Sequence, residues 1–134
     1  MSRMETRSRI MRKRYFDLQL FLLSEYLYEL KNNKYVCRLC FTPDLSRRGV
    51  FAHFRYKHRE ILEEARRKAL LNLVLRYKCV PLSDFRSTEI RIAKKIAETR
   101  EDIEFVELVV GRGSHRKTCP VLYHTSYLKQ KESD

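Results

Sequence analysis

Two cysteines and two histidines stand in the chain as Cys37-x2-Cys40-x12-His53-x4-His58. Cysteines two residues apart fit a tight turn and supply two thiolates. Histidines about one helical turn apart supply two imidazole nitrogens. Two sulfur and two nitrogen donors make the tetrahedral set that Zn2+ takes in structural sites. The spacing therefore predicts one structural zinc held by Cys37, Cys40, His53 and His58.

Such a site needs elements to position it. Residues 1–14 form a basic arm, with Arg3, Arg7, Arg9, Arg12, Lys13 and Arg14 against Glu5. It reads either as a solvated terminus or as a phosphate-contacting arm. Residues 15–31 predict a helix, because Phe16, Leu20, Leu23, Leu27 and Leu30 recur at spacings of 4, 3, 4 and 3. That seam packs on the rest of the chain or pairs two copies as a homodimer. Lys31-Asn32-Asn33-Lys34 ends the helix, with Asn suited to a C-cap. After Ser46 the chain carries no Pro until Pro81 and a single Gly, so a helix from the ligand region runs to about Tyr77, continuous or kinked near Arg59. Its apolar face holds Ile61, Ala65, Ala69 and Leu73.

Residues 35–58 resemble the C2H2 zinc finger family, with all four ligands in place. The resemblance implies a ββα module, with Tyr35 and Val50 in its core. One position departs from the family. Its central aromatic, four residues after the second Cys, is Asp44 here. Phe41, Leu45 or Phe54 must fill the space. The family's base-facing helix positions fall on Ser46, Gly49 and Ala52. None of these can read a base edge bidentately. Arg47, Arg48, Arg55, Lys57 and Arg59 surround them and suit phosphates. The expected mode is backbone binding, not sequence readout.

Residues 78–134 change character. Lys78 to Leu82 reads as a strand, Ser87 to about Thr99 as a helix capped by Ser87, Ile103 to Val110 as a strand, and Thr118 to Lys129 as a last helix with Pro120 at its first turn. Gly111-Arg112-Gly113-Ser114-His115 would then join a strand to a helix, as loops that cradle phosphate do. Arg112, Arg116 and Lys117 add charge there. This segment is similar to the small MutS-related (Smr) domain, whose Gly-Arg/Lys-Gly loop precedes a helix. That resemblance implies nucleic-acid binding through the loop. The family's Asp-Leu-His-Gly strand end is Pro81-Leu82-Ser83-Asp84 here, so no catalytic residues are carried over. Cys79 and Cys119 read as free thiols, as a disulfide, or as a second metal site with His115 and His124.

The chain has 134 residues, 29 Lys and Arg against 17 Asp and Glu, and a net charge of +12. That charge points to a polyanion as partner. With 43% hydrophobic residues it is not a disordered basic tail, and six Gly and Pro together argue against a turn-rich all-β fold. No apolar run is long enough to span a bilayer. Few Asn and Gln beside many Glu, Lys and Arg resemble hyperthermophile composition. The expected setting is intracellular: the cytoplasm of an archaeal host, for a protein of the archaeon or its virus, or the nucleus if the source is eukaryotic.

The expected fold class is α+β. An N-terminal arm and helix (1–34) precede a finger with an extended helix (35–77) and a small β-α-β-α unit (78–134). The leading expectation is a zinc-dependent DNA-binding transcriptional regulator that grips mainly phosphates. The alternatives are an Smr-like endonuclease using His115 and Arg112, an RNA-binding protein, and a protein-interaction adaptor.

Overall fold

The computed structural model describes residues 3–127. It is α+β, with four α-helices and five strands in two small sheets among the described residues. The described residues fall into two compact units, a finger unit of residues 16–69 and a sheet unit of residues 3–15 and 70–127. Among the described residues no helix is long and apolar enough to cross a membrane.

Helix α1 spans Arg3–Leu23. The basic arm is thus the first half of a helix, not a frayed terminus. Ser8, Met11, Tyr15, Gln19 and Leu23 are buried, and their spacing of 3, 4, 4 and 4 forms one stripe along the helix. The helix expected over 15–31 ends early. A 3-10 turn at Ser24–Tyr26 leads into strand β1, Leu27–Glu29. Leu27 and Leu30 therefore leave the helical seam. Strand β1 pairs antiparallel with β2, Tyr35–Cys37, in the register Leu27↔Cys37. The Lys31-Asn32-Asn33-Lys34 segment is the turn of this hairpin, closed by the Leu30 amide donating to the Lys34 carbonyl at 2.7 Å. Asn33 has φ 56°. Asn tolerates that left-handed geometry in a hairpin turn as readily as at a helix C-cap, so the tetrapeptide suits both.

Helix α2 spans Arg47–Lys57 and α3 spans Arg59–Tyr77. The break falls between them at His58. The α2 N-cap is Ser46, whose hydroxyl accepts from the Gly49 amide at 2.9 Å. Leu23, Leu27, Val50, Phe54, Leu62 and Ala65 form the finger unit's core.

In the sheet unit, β3 is Cys79–Pro81, α4 is Ser87–Thr99, β4 is Ile103–Val110 and β5 is Lys117–His124. The α4 N-cap is Arg86, without a side-chain cap bond, so Ser87 is the first helical residue instead of the cap. The sheet order is β3-β5-β4, all antiparallel. The helix expected from Thr118 is strand β5 through His124; its end at Lys129 lies outside the described residues. Val121 and Leu122 of the central strand β5 face opposite sides of the sheet and are both buried, so the sheet is covered on both faces there. Pro120 is tolerated because β3 ends at Pro81; there the Leu82 amide donates to the Pro120 carbonyl at 2.8 Å and no return bond is made.

Candidate metal centre

The Cys37–Thr42 segment forms a closed turn. The Phe41 amide donates to the Cys37 carbonyl at 2.8 Å, and the Cys37 amide donates to the Thr42 carbonyl at 3.0 Å. Phe41 takes a left-handed φ of 62°, which turns the chain so that both thiols face the same side. The 3-10 turn Ser24–Tyr26 braces it: the Arg38 amide donates to the Tyr26 carbonyl at 2.9 Å and its guanidinium to the Glu25 carbonyl at 3.1 Å. Beyond the turn, Tyr35 and Leu45 exchange backbone bonds of 2.8 and 2.9 Å. The hairpin that the finger resemblance implies is thus reduced to one bridged pair. The strand before it in the chain, Leu27–Glu29, supplies the second full partner of Tyr35–Cys37.

His53 is the seventh residue of α2. His58 follows it by five positions, which on an unbroken helix is a rotation of about 140°. A straight helix would turn the two rings apart. The two rings therefore do not share one face of a continuous helix, as a spacing of about one turn would have them do. Instead His58 terminates α2 with φ −138° and ψ 55°, outside helical geometry. That single non-helical residue swings its ring back toward His53, to 5.2 Å between ring centroids. The break and the ligand are the same residue.

The donor atoms of Cys37, Cys40, His53 and His58 all lie within 4.8 Å of one another. Cys37 Sγ is 3.5 Å from His58 Nε2, and Cys40 Sγ is 3.3 Å from His53 Nε2. A zinc tetrahedron with ordinary Zn–S and Zn–N bonds has S···N edges of about 3.5 Å. The four residues are close enough to hold a metal ion, and both the edge lengths and the donor types suit zinc. The Thr42 hydroxyl, 3.2 Å from Cys40 Sγ, is the foremost cause that lowers this thiol to about 6, with His58 and the Thr42 backbone adding to it. A thiol so lowered is largely thiolate near neutral pH, the form that binds metal. Thr42 was not singled out from the sequence; its signal was only a hydroxyl two residues past the second Cys.

Phe54 fills the space left by Asp44. It is fully buried and meets the rings of Tyr26, His53 and His58. Phe41 is 67% exposed, so it is not the replacement. Leu45 is half-buried against the same core. Asp44 sits in the loop with φ 57°, as Asp tolerates.

The structure separates the predicted phosphate contacts. Arg48 and Arg55 are exposed, and seven residues apart they share one face of α2. Lys57 lies about 160° away from Arg55 around the helix. Arg47 is paired with Asp17 of α1. Arg59 is exposed at the start of α3. Arg112, Arg116 and Lys117 are exposed in the sheet unit, around the β4–β5 turn. That turn joins two strands. The only helical piece in it is a three-residue 3-10 turn at Gly113–His115. The strand-loop-helix phosphate cradle is therefore not formed: the segment that directly follows the Gly-Arg-Gly loop is strand β5.

Cys79 and Cys119 are buried, and neither is in a disulfide. On the β5 register Cys79 pairs with Tyr123, four residues from Cys119, or about 13 Å along the strand. A disulfide needs Cα atoms within about 7 Å. Among the described residues the Cys37 cluster is the only metal-sized group, so no second site forms with His115 and His124. His124 instead lies 3.4 Å from Asp102 and 2.6 Å from the Ser126 hydroxyl.

No protein family, curated protein or solved structure matches this chain.

Proposed function

We propose that this is a zinc-dependent nucleic-acid-binding protein, with DNA the favoured partner and the phosphate backbone the main contact. Transcriptional regulation is the use that fits such a module. The reading rests chiefly on one observation: a zinc-sized Cys2His2 cluster takes His53 from the same helix that carries the exposed Arg48 and Arg55. The metal fixes the helix, and the helix presents cations. The helix positions that face bases in a finger carry no base-reading chemistry. Ser46 uses its hydroxyl to cap the helix, and Gly49 and Ala52 have no polar side chain. Phosphates are what such a face can hold. The net charge of +12 supports a polyanionic partner.

The test is a salt series on duplex DNA, single strands and RNA with zinc-loaded protein. Six phosphate contacts on duplex DNA correspond to a log–log slope of about −5. Replacing Arg48 and Arg55 with Ala should weaken all sequences alike and flatten that slope. Cys37→Ser should lose the metal and the binding together, while Cys119→Ser should keep both. Tight binding of one short sequence with little salt dependence would contradict the reading.

A further inference from the structure

The β4–β5 hairpin changes environment along its length. Up to the pair Leu108↔Cys119 every pair has at least one member buried or half-buried, and Cys119 is only 2% exposed. Beyond it come the pairs Val109↔Thr118 and Val110↔Lys117 and the turn that joins them. Val109 is 65% exposed, and residues 111–118 are all exposed. A strand packed on a core alternates buried and exposed side chains. Here the alternation stops. The end of the hairpin is a free two-stranded ribbon, and its two pairs and turn add roughly 10 Å of reach.

We infer that this ribbon, Val109–Thr118, is a DNA-binding arm that enters the major groove of B-form duplex DNA. The inference rests on the nucleic-acid reading above and assigns it a second element. Arg112, Arg116 and Lys117 lie on the ribbon, and no acidic residue stands between Leu108 and Thr118. Two strands about 4.8 Å apart, with their side chains, make a ribbon about 10 Å wide. The major groove is about 12 Å wide and admits such a ribbon. The tip is closed on itself: a Cβ at Gly111, whose φ is +98°, would stand 2.4 Å from the His115 carbonyl oxygen. The turn is therefore held in one tight form. Gly113 is the opposite case, with nothing within 4 Å of its Cβ position, so the backbone is bare at the tip. Val109 and Thr118 carry methyl groups on one face, the chemistry that meets a thymine methyl.

Other nucleic acids fit less well. Single strands are gripped chiefly by stacking on large aromatic rings, and Glu107–Thr118 contains no Phe, Tyr or Trp. Double-stranded RNA has a deep, narrow major groove that side chains do not read.

The experiment uses the full zinc-loaded chain and the double variant Arg112→Ala/Arg116→Ala. Both positions are exposed, so an unchanged thermal midpoint is expected. Losing two phosphate-range cations should reduce the log–log salt slope on a 20-bp duplex by about 1.8, which corresponds to about thirtyfold weaker binding at 0.15 M salt. A major-groove ligand such as methyl green should displace the wild-type ribbon, and the minor-groove ligand netropsin should not. Wild-type affinity and slope in the variant, while the wild type binds DNA, would overturn the inference and leave the α2 reading standing. Equal losses on duplex DNA and duplex RNA would overturn the groove assignment. A wild-type protein that binds no nucleic acid would overturn both readings.

Discussion

Phe54→Ala is the perturbation that bears most directly on how the finger unit holds its metal ligands. Phe54 is fully buried, with ring centroids 6.3 Å from Tyr26, 5.6 Å from His53 and 5.3 Å from His58. It replaces the aromatic that Asp44 cannot supply. Removing a fully buried Phe side chain costs about 3–5 kcal/mol in transfer and cavity terms. The finger unit spans residues 16–69, and a unit of that length has roughly 3–8 kcal/mol of stability in all. Without metal the variant should be largely unfolded. Because metal binding and folding share one free energy, a loss of about 4 kcal/mol appears as up to about a thousandfold weaker zinc affinity. The assay is a competition titration against a chelator of known affinity, with far-UV circular dichroism on the same samples. Phe41→Ala is the control, since Phe41 is 67% exposed and should change stability by less than about 0.5 kcal/mol. Wild-type zinc affinity in Phe54→Ala, or a larger loss in Phe41→Ala, would refute the assignment of the core.

The glycines of the β4–β5 turn separate by position. Gly111→Ala puts a Cβ 2.4 Å from a carbonyl oxygen at φ +98° and should lower the thermal midpoint clearly, whereas Gly113→Ala at φ +57° meets nothing and should cost only about 1–2 kcal/mol for the left-handed backbone. Arg100 donates bonds of 3.0 and 2.9 Å to Asp102, and this is the main reason the carboxyl is lowered to about 2. A depressed carboxyl contributes stability that is complete above its unfolded pKa near 3.8 and is lost as pH falls through about 2. An NMR titration of Asp102 should show that low midpoint, and Arg100→Ala should move it up toward the ordinary carboxylate range. Ser46→Ala should cost about 1 kcal/mol through the lost Gly49 cap bond, read as a shift in unfolding midpoint.

The metal ligands were legible because their identity and spacing are chemical constraints, independent of the surrounding fold. The long α3 face was legible for a similar reason: Ala65, Ala69 and Leu73 repeat at helical spacing and are buried. Helix α1 was misjudged in both directions. Its buried stripe passes through Ser8 and Gln19, polar residues that hydropathy does not mark, while Leu27 and Leu30 extend an apolar period that the chain abandons for a hairpin. Strand β5 was hidden by its burial on both faces at Val121-Leu122. Both its faces are covered, so Val121-Leu122 lacks the alternation that announces a strand, and Pro120 favoured a helix start. The role of His58 follows from arithmetic that the sequence does contain: five residues exceed one helical turn by about 140°, so a second His at that spacing requires a helix break.

Zinc K-edge X-ray absorption on the purified protein tests the central claim most directly. Coordination by Cys37, Cys40, His53 and His58 predicts one zinc per chain with two sulfur neighbours at about 2.3 Å and two nitrogen neighbours at about 2.0–2.1 Å. An absorption spectrum without zinc, or a shell of oxygen and nitrogen atoms lacking sulfur, would contradict it.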